Sequence, residues 1–226
     1  MDALDAVIEA WRTQDARFAT VRTYPWGEVV ADPRFARLVV ANAAKVLARE
    51  PVDPDAVLSA VRRDLAHARR LAVVIHRPDE QPDLVVALST EGGELFFDDV
   101  HIAGATPATA TDRVEEVDDH DAAFWAAFRA TGELFGIVPA TLDELERVER
   151  DVLLPAGKRW FVVRGGTGAI EAMAALLPGP AAEIDHVVTV PAARRRGHAT
   201  ALVARCVAAA RAAGAEHVFL LAQAGG

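Results

Sequence analysis

The chain has 226 residues, 52% hydrophobic and 25% charged, with a formal net charge of −9. That length suffices for one large domain or two small ones, and the composition is globular rather than disordered. The acidic balance argues against a general nucleic-acid or anionic-membrane binder. The single cysteine, Cys206, forbids an intrachain disulfide and fits a reducing cytoplasm. No apolar run reaches membrane-spanning length, and the acidic, amphipathic stretch Met1 to Arg12 does not read as a secretory leader.

In chain order, a helix is predicted over Leu4 to Thr13. Strands follow at Phe18 to Arg22 and Glu28 to Ala31, joined through the turn Tyr24-Pro25-Trp26-Gly27. Apolar residues at 35, 38, 39, 43, 46 and 47 have helical spacing and predict a helix over Phe35 to Arg49. Asp53 is a candidate N-cap with Pro54 at the first position of the next helix, running to about Arg70. Leu71 to His76, Leu84 to Leu88 and Leu95 to Ile102 are predicted strands. The small, turn-prone residues 103–111 mark the domain boundary, giving an N-terminal α/β region over 1–111 and a second domain over 112–226.

The second half reads strand (Arg113 to Val117), helix (about Asp121 to Phe135, capped by Asp118 and Asp119), and helix opened by the capping box Thr141-x-x-Glu144. Strands are then predicted over Trp160 to Arg164, Ala169 to Leu177 and 181–190. A helix from Thr200 to Ala213 and a strand from His217 to Leu221 complete it. The order helix, strand, hairpin at 54–102 echoes part of 142–190, which would make the N-terminal region a degenerate copy of the second domain.

The most informative stretch is Val188-Thr-Val-Pro-Ala-Ala-Arg-Arg-Arg-Gly-His-Ala199. An apolar strand runs into a short Arg/Gly turn that opens a helix, so backbone N–H groups and the helix N-terminus converge on one spot. That is an anion site, with a phosphate or pyrophosphate as its natural guest. Three arginines add charge and Gly197 allows close backbone approach. Neither a Walker loop nor a Gly-x-Gly-x-x-Gly fingerprint occurs. The pattern Arg194-x-x-Gly197-x-Ala199, in this strand–turn–helix setting, resembles the acyl-CoA pyrophosphate loop of the GNAT superfamily of N-acetyltransferases.

The resemblance covers roughly residues 113–221. It implies an α/β fold with a mixed sheet in which acyl-CoA binds where the fourth and fifth strands part. Val188, Thr189 and Val190 would bond the pantetheine arm and the thioester carbonyl. Arg195, Arg196, Gly197, His198, Ala199 and Thr200 would hold the pyrophosphate. It further implies an N-acyltransferase that passes an acetyl group directly from acetyl-CoA to a small-molecule amine. The N-terminal region would shape the acceptor pocket or dimerise.

On the fourth strand, Glu183 and Asp185 are the candidate bases. Alternation places them on one face and His186 on the other. No Ser/His/Asp or Cys/His nucleophile set is present, and Asp98, Asp99 and His101 are split by alternation, so no metal site is expected. Cys206 falls on the core stripe of its helix and reads as inert packing. Tyr24 and Trp26 read as turn anchors.

Family members continue past the fifth strand with a helix that often carries a tyrosine, which protonates the departing thiolate. The only tyrosine here is Tyr24. Either the sequence is shorter than the natural chain, or a swapped or N-terminal element completes the sheet, or the domain is degenerate; the first is preferred. Two other readings stand beside catalysis. One is an acyl-CoA-binding sensor or scaffold, and the other is transfer from a different carrier such as a carrier protein or charged tRNA.

Overall fold

The computed structural model describes residues 2–104, 113–117 and 121–223. The chain divides into two compact units: Trp11–Phe96, and Met1–Ala10 together with Phe97–Gly226. The elements in chain order are α1 (Ala3–Asp15), β1 (Thr20–Tyr24), β2 (Gly27–Ala31), β3 (Asn42–Val46), α2 (Pro54–Asp64), β4 (Val73–Ile75), α3 (Pro82–Thr90) and β5 (Asp98–Ile102). There follow β6 (Val114–Glu116), α4 (Ala122–Leu134), α5 (Pro139–Val148), β7 (Arg159–Arg164), β8 (Ile170–Leu177), β9 (Ala181–Thr189), α6 (His198–Ala212) and β10 (His217–Gln223).

The first unit carries a four-stranded sheet in the order β1-β2-β3-β4, with β3 and β4 parallel. Two expectations fail here. The predicted helix over Phe35 to Arg49 is instead two short 3₁₀ turns followed by β3. The buried Asn42 side chain ties the turns down, donating to the carbonyls of Phe35 and Leu38. Ala43, Ala44 and Val46 are then buried inside the sheet, where an apolar run is indistinguishable from a helical one by spacing. The predicted strand over Leu84 to Leu88 is the helix α3. Pro82 starts it, and the buried Gln81 anchors it through bonds to Val52 N–H and to the carbonyls of Ala48 and Glu50. Asp53 does cap α2, accepting from Asp55 N–H. Tyr24 stacks on the buried Trp26 with ring centroids 4.9 Å apart, and its hydroxyl is hydrogen-bonded to Asp64.

The second unit is built on a six-stranded mixed sheet in the order β5-β10-β9-β8-β7-β6. Helix α6 covers one face. Its Leu202, Cys206, Val207 and Ala210 are buried against Phe161, Leu176, Ile184 and Val218. On the other face Phe124, Trp125 and Phe128 of α4 pack on Trp160, Val162, Met173 and Ala175. Asp121 caps α4, accepting from the N–H groups of Ala123 and Phe124. Asp118 and Asp119 lie outside the described residues. Helix α5 begins at Pro139, two residues before the expected capping box, so Thr141 sits inside its first turn.

The expected boundary at 111/112 also lies outside the described residues, while the compact units meet at 96/97. The reason is β5, which lies upstream of that boundary yet pairs antiparallel with β10 from Ile102↔Phe219 to Asp98↔Gln223. An element N-terminal to the family-like segment thus covers the outer edge of β10, which would otherwise expose unpaired backbone groups.

Candidate active site

Two features of β9 create the site. The first is where its pairing stops. Strands β9 and β10 run parallel and are bonded from Ala181↔His217 to Ile184↔Leu220. Beyond that rung β9 stays with β8 as far as Thr189, while β10 continues to Gln223 beside β5. Among the described residues no rung joins β10 to residues 185–189, so the sheet opens there into a cleft.

The second feature is a β-bulge. Met173 faces Val188 and Ala175 faces Asp185, so β9 spends one residue more than β8 over this interval. His186 takes the strain with φ +51°. Strand alternation predicted His186 opposite Asp185. The bulge corrects this, because Asp185, His186 and Val188 all fall on the α4 side of the sheet, and Val187 alone turns toward α6. The His186 ring packs 5.3 Å from Trp160 and 6.1 Å from Phe128.

Behind His186 lies a chain of charges. His186 Nδ1 is 2.6 Å from Asp185 Oδ2, and the His186 backbone N–H donates to Asp185 Oδ1 at 2.7 Å. Lys158 Nζ, fully buried, donates to Asp185 Oδ2 at 3.1 Å and to Glu149 Oε1 at 2.6 Å. Trp160 Nε1 donates to the other oxygen of Glu149. Glu149 is presented by a π-helical turn, Glu149–Leu153, that continues α5. Burial alone would raise the Asp185 carboxyl, but the His186 imidazole and the Lys158 ammonium, with their hydrogen bonds, pull it far below the carboxylate range. Burial alone would likewise lower the Lys158 ammonium, and the Glu149 and Asp185 carboxylates outweigh it and hold the ammonium charged.

At the far end of β9 the chain turns through Pro191–Ala193 into the arginine loop. Arg195 (φ +62°) and Gly197 (φ +76°) both adopt the left-handed region, which curls the backbone around the start of α6. The first intrahelical bond runs from Ala201 N–H to Gly197 O, so the N–H groups of His198, Ala199 and Thr200 have no intrahelical partner, and among the described residues no side chain caps them. They border a cavity of about 400 Å³ lined also by Phe135, Val187, Val188, Thr189, Arg194, Arg195 and Gly197. Arg113 donates to Gly197 O at 2.8 Å and fixes the loop from the side.

Most of the residues singled out from sequence meet at this cavity. Two do not line it. Val190 borders a neighbouring groove of about 440 Å³ along α4, and Arg196 turns away to Ala192 O and Glu171. His198 lines the cavity yet is mostly buried, with Nε2 3.1 Å from Glu171 Oε2. Glu183 shares the face of Asp185, one strand period earlier, level with Phe219 on β10. Lys158, Glu149 and Trp160 were not singled out. The one available signal was Lys158, one of two lysines in the chain, directly before an apolar strand. Among the described residues no group of three or more His, Cys, Asp or Glu could hold a metal, and no helix is long and apolar enough to cross a membrane.

A mixed sheet parted beside a helix-capped, arginine-rich loop is the architecture of an acyltransferase fold. The acetyltransferase (GNAT) family profile matches residues 107–225, just over half of the chain, and the protein belongs to that family. Among solved structures it is similar to a GCN5-related N-acetyltransferase from Kribbella flavida, with TM-score 0.63 and 16% identity over 98% of this chain and 86% of that one. It is also similar to a functionally unknown conserved protein from Staphylococcus epidermidis, with TM-score 0.66 and 10% identity over 92% of this chain and 84% of that one. Both likenesses span the N-terminal unit as well as the matched domain, and at these identities they speak to fold alone. No curated protein matches the chain.

Proposed function

We propose that this protein transfers an acetyl or other short acyl group from acyl-CoA to the amine of a small molecule, directly and without a covalent enzyme intermediate. The observation that carries the reading is the continuity of the parted β9 strand with the cavity at the α6 N-terminus. An extended thioester arm fits along residues 187–189, and a diphosphate fits against the free N–H groups of 198–200, flanked by Arg194 and Arg195. The diphosphate contacts supply binding and position, while the chemistry falls at the inner end of the cleft.

There the amine nitrogen attacks the thioester carbonyl, an N–C bond forms, and the C–S bond breaks. The ammonium must first lose a proton, and the face of β9 that carries Glu183, Asp185 and His186 is where that step belongs. The direct test is thiol release on mixing protein, acetyl-CoA and a panel of primary amines. Amine-dependent release supports transfer, with Glu183→Gln or Asp185→Asn expected to lower the rate while leaving acetyl-CoA binding intact. A second reading, an acyl-CoA sensor, is favoured by one observation: the sole tyrosine lies in the other unit with its hydroxyl on Asp64. A sensor binds acetyl-CoA and releases no thiol with any amine.

A further inference from the structure

We propose that His186 is the catalytic base of this site, with Asp185 as its positioning residue and the Lys158–Glu149 pair as the support that holds Asp185 in place. This rests on the acyl-transfer reading above and deepens it.

Three geometric facts carry it. First, the bulge that breaks strand alternation brings His186 onto the face of Asp185, two residues past the last β9–β10 rung at Ile184, at the mouth of the cleft. Second, both oxygens of Asp185 are already engaged, Oδ1 by the His186 backbone and Oδ2 by Lys158 and His186 Nδ1. A carboxylate held by three donors has little basicity to offer a substrate. Third, the Nδ1 contact to an ionised carboxylate makes Nδ1 the protonated nitrogen and leaves the lone pair on Nε2. Every contact of His186 is accounted for by Asp185, Phe128 and Trp160, so Nε2 has no protein partner among the described residues. A half-exposed imidazole with one nitrogen fixed and the other vacant has the form of a general base.

The groups around it are consistent with that task. Asp185 stands beside the ring on β9, with Glu183 further along the same face. Lys158, preceding β7, and Glu149, on the π turn, lie behind Asp185, and α4 offers only the apolar Phe128. In the reaction, Nε2 takes one proton from the acceptor ammonium, and the freed lone pair forms the N–C bond. As the C–S bond breaks, the imidazolium returns its proton to the thiolate, and a second proton leaves nitrogen for solvent. A single imidazole thereby serves both steps in a unit whose described residues include no tyrosine.

The test uses the full chain, acetyl-CoA and the primary amine that gives the fastest thiol release. His186→Asn is the variant of choice, because asparagine tolerates the positive φ at this position. It is expected to lower kcat/KM by about 10²–10⁴-fold and to erase the acid limb of the rate profile, with calorimetric acetyl-CoA affinity within about threefold of wild type, well inside one decade. Asp185→Asn is expected to lower kcat with the KM for acetyl-CoA little changed, and Asp185→Glu to restore part of the loss; a merely structural role for Asp185 would lower stability without changing kcat per folded protein. Long-range ¹H–¹⁵N spectra of histidine-labelled protein are expected to show His186 protonated on Nδ1 alone at high pH. Undiminished turnover in His186→Asn, or an Nε2–H tautomer, overturns the assignment while leaving acyl transfer standing. If wild type binds acetyl-CoA but releases no thiol with any amine, the transfer reading falls and the base falls with it.

Discussion

Replacing Lys158 with methionine probes the support beneath the site. The Lys158 side chain is 0% exposed and that of Glu149 1%, with Nζ and Oε1 2.6 Å apart. Methionine fills much of the same volume but leaves the Glu149 carboxylate buried with one remaining side-chain donor among the described residues, Trp160 Nε1 at 3.1 Å. Breaking a buried pair from one side costs about 3–5 kcal/mol, because the surviving charge is uncompensated. The Trp160 bond argues for the lower end, about 3 kcal/mol, or roughly 10²-fold in the folded-to-unfolded ratio. With a urea m-value of about 2 kcal/mol/M, the midpoint of the second unit should fall by about 1.5 M. Trp125 and Trp160 report that unit by fluorescence and near-ultraviolet dichroism. The double variant Lys158→Met/Glu149→Gln removes the stranded charge and should recover most of the loss. A single variant within about 1 kcal/mol of wild type, inside the ordinary range for surface substitutions and small repacking, would refute the idea of a dry, tightly coupled pair.

Further outcomes follow from the same geometry. Burial, reinforced by the Lys45 and Arg77 charges, lowers the His76 imidazole to about 4, and its Nε2 is buried without a hydrogen-bond partner among the described residues while the ring stacks on Trp11. The folded value lies below the unfolded one, so the associated stability is complete above about pH 6.5 and is lost as pH falls toward 4. The loss is at most about 3 kcal/mol, read as a falling urea midpoint relative to His76→Phe; parallel curves for the two proteins would contradict it. Asp185 behaves similarly in a lower window, because its folded value is depressed below the unfolded carboxylate. The stability advantage of wild type over Asp185→Asn should hold above about pH 5 and shrink only below about pH 4; an advantage that grows on acidification would contradict the ion-pair geometry. Burial pushes the Cys206 thiol up to about 12 against the pull of Arg159 and Arg205. The folded protein should therefore resist thiol reagents at pH 8 and react only when unfolded; stoichiometric labelling of the native state within minutes would show that α6 opens.

The loop and its strand–turn–helix setting were legible in the sequence because the chemistry is local. Gly197, the arginines and the start of α6 lie within a few residues, and backbone N–H groups at a helix start need no distant partner to be inferred. The aromatic stripe of α4 and the buried stripe of α6 were legible for the same reason. What escaped depends on pairing. The bulge at His186 exists only because β8 and β9 meet in a particular register, so a period of two carried the residue to the wrong face. Glu149 is nine residues from Lys158 and Lys158 is 27 from Asp185. Only the π turn and the β7–β8–β9 order bring them together. The 35–49 segment misled for a related reason, since a strand buried in the sheet interior loses the alternation that would reveal it. The role of β5 was likewise invisible, because nothing local says that 98–102 will pair with 219–223.

The most direct measurement is a calorimetric titration of the protein with acetyl-CoA, beside Gly197→Glu. At Gly197 the backbone is left-handed, and a Cβ would stand 3.3 Å from Arg113 Nη2. The new carboxylate would also repel a diphosphate. Micromolar, one-to-one binding by wild type that is lost in the variant, with both proteins showing the same circular dichroism, is the expected result. Absence of binding by wild type, or equal binding by the two, would contradict the acyl-CoA site at the start of α6.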